Sequence, residues 1–108
     1  MEDIMVISVV GYLKYAPRDR NVKGGEYTYF CLTSDPDGQD SRRTTFIVQV
    51  HDIELRKYVN THLQKGMKVY VTGEYGESFS IIAGTLLSNQ KIKAYGVEIV
   101  RAKQSVHL

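Results

Sequence analysis

The sequence predicts an all-β protein: a five-stranded Greek-key barrel with one short helix between the third and fourth strands. Three observations carry that expectation. Val, Ile, Tyr and Thr dominate the apolar runs, and their branched or aromatic side chains suit a pleated, half-buried surface. Most of those runs alternate with period two between clusters of Gly, Pro, Asn and Asp. Helical spacing appears once, after Asp52.

The chain of 108 residues suffices for one core, so residues 1–108 are expected to form a single domain with a frayed end at 103–108. The first strand, Ile4 to Val10, is apolar on both parities, as a long strand that changes neighbours would be, and Gly11 marks its bend. The following YAPRDRNVKGG carries a proline and the Gly24-Gly25 pair and reads as a hairpin loop. In EYTYFCLTS, Tyr27, Tyr29 and Cys31 share one side, while Thr28, Phe30 and Leu32 share the other; Phe30 and Leu32 are the core pair.

A turn at Asp35-Pro36-Asp37-Gly38 precedes the third strand, where Phe46, Val48 and Val50 face inward and Thr45, Ile47, Gln49 and His51 outward. Asp52 is placed as an N-cap for a helix bearing Leu55, Tyr58, Val59, His62 and Leu63, with Gly66 as its C-terminal cap. The fourth strand turns Met67, Val69 and Val71 inward, turns Lys68, Tyr70 and Thr72 outward and bends at Gly73. Gly76 to Gln90 reads as a strand extension, a flexible loop, or both. The last strand sets Tyr95, Val97 and Ile99 against Ala94, Glu98 and Val100.

This element order is that of the OB-fold, and three local motifs sharpen it. Gly11, Leu13, Pro17 and Arg20 follow a hydrophobic strand; KGGEYTYFCLTS supplies a glycine turn and strand; Leu63, Lys65, Gly66, Val69, Tyr70, Val71 and Gly73 form a spaced signature in LQKGMKVYVTGEY. With KAYGVEIVRA as a closing strand, the chain resembles the bacterial single-stranded DNA-binding protein family from about Ile4 to Lys103. The resemblance implies non-sequence-specific binding of single strands, in replication, recombination or repair, by a homotetramer, with a dimer as the alternative. Family members place tryptophans on the binding face, and this chain has none. Phe46 falls near one such position, yet its parity assigns it to the core. Members also carry an acidic tail that recruits other proteins. The sequence ends at Ser105-Val106-His107-Leu108 without such a tail, so recruitment of replication or repair proteins stays open.

Single-strand binding needs cations along the phosphates and aromatic faces for the bases. The formal net charge is only +2, so the placement of charge matters more than its total. Lys14, Arg18, Arg20 and Lys23 precede the second strand, Arg42 and Arg43 follow it, and Lys91 and Lys93 open the last one. The competing reading of each is an ordinary solvated charge. Of eight tyrosines, Tyr27 and Tyr29 are assigned to stacking, joined by Phe79 from the fourth-strand hairpin. Tyr12, Tyr15 and Tyr75 stay open. Tyr70 is assigned to an oligomer interface.

Neither catalytic residues nor a metal or cofactor site is expected: Cys31 reads as a small buried hydrophobe, and His51, His62 and His107 lack ligand spacing. One cysteine, no apolar span of membrane length and an acidic start favour the cytoplasm and nucleoid, away from membranes. Two other readings compete. One is a dimeric primosomal adaptor bridging DNA and a helicase, and the other a protein-interaction scaffold presenting a tyrosine-rich face.

Overall fold

The computed structural model describes residues 3–34 and 45–101, with the backbone alone described at 78–82 and 85–89. Strands β1 (Val6–Leu13), β2 (Arg18–Val22), β3 (Gly25–Thr33) and β4 (Thr45–Val50) precede helix α1 (Ile53–His62) and strands β5 (Lys68–Ile82) and β6 (Thr85–Ile99). They form one sheet ordered β1-β5-β6-β4-β3-β2, and a further β1–β3 pairing closes the first five of these into a ring. Only β4 and β6 run parallel within it. This is the five-stranded OB barrel, with β2 added outside the ring on β3.

Barrel closure depends on β1 changing partners. Val6 to Tyr12 pair with β5, whereas Tyr12 and Leu13 pair with β3, so the bend follows Gly11 as its position suggests. The interior holds Leu13, Phe30, Leu32, Val48, Val50, Val69, Val71, Ile92 and Ala94, with Phe46 and Met67 packed against them. Period-two alternation thus predicts the inward residues of β3, β4 and the first half of β5 correctly. Helix α1 adds Val59 and Leu63 to the same core. The Asp52 carboxylate caps it by accepting from the Leu55 N–H at 3.0 Å, satisfying a backbone donor that the helix itself leaves unpaired.

Three expectations need correction. The segment expected as a hairpin loop contains β2, a strand whose side chains are all exposed; hydrophobic periodicity misses it because nothing in it is buried. Its turn to β3 uses Gly24 and Gly25 at φ of 118° and 132°, a region closed to most other residues. Gly66 does not cap α1: Leu63 ends the helix in an extended conformation, and the Gly66 N–H instead donates to the Leu13 carbonyl at 2.8 Å. Tyr95 is 55% exposed while Ala94 and Val97 are buried, so Tyr95 does not share a side with Val97 as the alternation had it. A bulge opposite Thr72 and Gly73 pairs Thr72 with Gly96 but Gly73 with Ala94, so Tyr95 is an extra residue and the inward side resets to Val97 and Ile99.

Gly73 is required at that bulge, since a Cβ would meet the Ala94 Cα at 2.8 Å and the Lys93 carbonyl more closely still. The stretch left open between Gly76 and Gln90 is strand. β5 and β6 continue as a hairpin around Ala83 and Gly84, with no third strand beside Ser78 to Asn89 among the described residues.

Candidate nucleic-acid interface

The outward side of β3 carries Tyr27, Tyr29 and Cys31, because Thr28, Phe30 and Leu32 occupy the core side. Strand register extends this face on both flanks. On β2, Arg18 lies opposite Tyr29 and Arg20 opposite Tyr27; on β4, Gln49 lies opposite Tyr29 and Ile47 opposite Cys31. Beyond β4, Lys91 aligns with Ile47 and Lys93 with Gln49. Four strands from three sequence regions therefore present one surface of aromatic and cationic groups.

At its centre is a concavity of about 260 Å³ lined by Tyr15, Arg20, Tyr27, Tyr29, Ile47 and Lys91, with Cys31 and Gln49 completing its walls. The rings support one another. Tyr15 and Tyr29 meet edge to face at 6.5 Å, Tyr27 and Tyr29 lie 6.3 Å apart, and His51 stacks on Tyr27 at 5.1 Å with 27° between planes. The Arg18 guanidinium sits 4.4 Å from the Tyr15 ring centre, a cation–π contact that holds its charge at the rim.

Two groups on this face have shifted protonation. Burial, followed by the hydrogen bond between its hydroxyl and the Cys31 sulfur at 2.9 Å, pushes the Tyr15 phenol far up, so the ring stays neutral. Burial also lowers His51 below its ordinary value, assisted by the Lys93 and Arg56 charges. A neutral His51 donates to the Gln49 amide oxygen at 3.5 Å.

Of the residues assigned from sequence, the structure brings together Arg18, Arg20, Tyr27, Tyr29, Lys91 and Lys93. Lys14 is exposed just after β1, where its N–H donates to the Cys31 carbonyl at 3.0 Å, and Lys23 is exposed in the β2–β3 turn. Arg42 and Arg43 lie outside the described residues. Phe79 belongs to β5, its backbone opposite Ser88, and its side chain lies outside the description. Cys31, expected as a buried hydrophobe, is half-buried on this outer face, because β3 alternation places it with the tyrosines. Tyr15, Ile47, Gln49 and His51 join the face without having been assigned to it. The last three carry a signal in their outward parity, whereas Tyr15 lies in a connection without periodicity. Tyr75, also left open, bonds its hydroxyl to Glu77 at 2.7 Å, away from the concavity lining.

The face around β1 has a different character. Tyr70 is 39% exposed, and hydrogen bonds from Ser8 and Thr72 lower its phenol pKa. Around it Val6, Val10, Tyr95 and Val100 are also exposed, and Val6 to Gly11 has no strand on its second edge among the described residues. Tyr12, the other tyrosine left open, is half-buried with the Lys68 ammonium 5.8 Å from its ring. Among the described residues no three His, Cys, Asp or Glu side chains gather as metal ligands, and no helix is long and apolar enough to cross a membrane.

No protein-family model matches the chain, and no curated protein matches it in sequence. Solved structures do. The chain is similar to a small single-stranded DNA-binding protein of Streptomyces coelicolor, with a TM-score of 0.73 and 20% identity over 92% of this chain and 96% of that one. It is also similar to the Plasmodium falciparum SSB in complex with single-stranded DNA, with a TM-score of 0.70 and 18% identity over 94% and 98%. A mitochondrial single-stranded DNA-binding protein of S. cerevisiae superposes with a TM-score of 0.73 at 13% identity, over 94% and 100%. At such identities the likeness establishes the fold, and function has to be argued from the site.

Proposed function

We propose that the chain binds single-stranded DNA without sequence preference and performs no chemical step on it. The observation that carries this reading is the convergence of Tyr15, Tyr27 and Tyr29 with Arg18, Arg20, Lys91 and Lys93 on one barrel face. The cations follow the phosphates, and the rings offer faces that any base can use, which is why such binding tolerates all sequences. The structural neighbours described above are single-stranded DNA-binding proteins, which supports the same use of the fold. A role in replication, recombination or repair in the cytoplasm, at the nucleoid, follows from what such binding protects.

Self-association belongs to the proposal. A row of exposed apolar residues beside an open strand edge pairs readily with another copy, and Val6, Val10 and Tyr70 supply one here. Linked protomers would raise affinity beyond that of one small face. A homotetramer is the proposed assembly, with a dimer as its building block.

Tyrosine emission tests the binding reading directly, because the chain has eight tyrosines and no tryptophan to mask them. Oligo-dT is expected to quench that emission saturably, whereas an equal concentration of duplex leaves it nearly unchanged. Equal quenching by duplex, or none by either, would overturn the proposal.

A further inference from the structure

Strand β2 poses a packing problem. It carries two of the cations on the proposed binding face, yet none of its side chains is buried. Backbone pairing to β3 alone would leave such an edge strand prone to fraying. The residue between the two arginines solves it. Asp19 lies opposite Thr28, on the side of the strand away from Arg18 and Arg20.

There one carboxylate oxygen of Asp19 accepts from the Thr28 hydroxyl at 2.6 Å and from the Asn60 amide at 3.1 Å. Thr28 is fully buried, and its hydroxyl oxygen also accepts from Arg56 Nε and from Asn60, both at 3.2 Å. The Arg56 guanidinium completes the cluster with ion pairs to Asp19 at 3.6 Å and Glu26 at 3.5 Å. Arg56 and Asn60 stand one turn apart on α1, so the helix reaches β2 through this cluster.

We propose that Asp19 is a positioning residue for DNA binding, a latch by which α1 holds β2 in register so that Arg18 and Arg20 stay at the rim of the tyrosine concavity. This rests on the single-strand reading for its functional consequence, although the latch itself does not. Register matters because the Arg18 guanidinium rests on Tyr15, which in turn packs edge-on against Tyr29. A loosened β2 would release the cation and one wall of the concavity together.

Asp19→Ala separates the latch from simple electrostatics, because the two predict opposite signs. Removing a carboxylate raises the net charge above +2, which by itself favours DNA. The latch predicts instead that oligo-dT binds about three- to tenfold more weakly, and that the slope of log affinity against log salt shallows by about 0.7 for each cation released. Amide hydrogen exchange over Arg18–Val22, measured without DNA, is expected to accelerate while the β4 and β5 amides hold their protection. Asn60→Ala changes no charge and no residue of β2, and it carries the same test if Asp19→Ala does not fold; it is expected to act in the same direction, less strongly.

Wild-type affinity or tighter binding in Asp19→Ala, or unchanged exchange of β2 in both variants, would overturn the latch. If the wild-type chain itself shows no preference for single strands, the functional reading fails, and the exchange of β2 still decides whether Asp19 holds the strand.

Discussion

Tyr27 and Tyr29 stand on a strand whose opposite side is committed to the core by Thr28, Phe30 and Leu32, so neither ring can turn inward without exposing Phe30. That made them legible from alternation alone. Tyr15 was not, since its place follows from the hydrogen bond to Cys31 and from Arg18 across the next strand. Replacing either Tyr27 or Tyr29 with alanine is expected to cost about 1 to 3 kcal/mol of oligo-dT affinity, roughly 5- to 150-fold, with little change in thermal midpoint because both rings are only half-buried. Titration calorimetry beside a melting curve checks both halves of that statement. His51 adds a pH effect. Its pKa lies below the ordinary 6.5, so at neutral pH it is an uncharged partner for Tyr27, and protonation on acidification adds a cation beside Lys93. Oligo-dT affinity is expected to rise as pH falls through the lowered His51 value, and His51→Ala to abolish that rise. The same shift works against stability, because the unfolded chain takes up the proton first as pH drops through 6.5.

At the scale of elements, what alternation can see and what it cannot are both on display. β3 and β4 bury every second residue and were readable. β2 buries none and is held by backbone pairing and Asp19, which leave no periodic trace. The bulge at Gly73 and Tyr95 resets parity in mid-strand, so alternation finds β6 as a strand but groups Tyr95 with the wrong neighbours. Each device yields a prediction. Hydrogen bonds from Thr28 and Asn60, with the Arg56 charge, hold the Asp19 carboxyl below its ordinary 3.8. Its contribution is therefore complete above that value and lost as pH falls through the lower folded value. Wild-type melting temperature should drop more steeply with acid below about pH 4 than that of Asp19→Asn. Gly73→Ala is expected to destabilise by more than about 3 kcal/mol, since backbone and not a movable side chain blocks the new methyl; urea unfolding measures it.

The whole molecule joins two faces of different character around one barrel. Closure through β1 puts the cationic, tyrosine-lined surface on β2, β3, β4 and β6, and leaves the apolar edge of β1 on the other side of the ring. The OB topology was legible because element order and three motifs pointed to it. The apolar edge was not, because Ile4 to Val10 is apolar on both parities and alternation alone cannot choose which side faces out. Val10→Lys is expected to lower the mass in sedimentation velocity while leaving the fold intact. Unchanged mass would remove that edge from the proposed assembly.

The central claim is that this face neutralises phosphates of a single strand while its rings take the bases. It is tested most directly by titrating oligo-dT and a matched duplex across a series of salt concentrations. Four cations from β2 and β6 predict a slope of log affinity against log salt of about −3 or steeper for oligo-dT, together with a marked preference for it over duplex. A slope near zero, or equal affinity for duplex, would contradict the account.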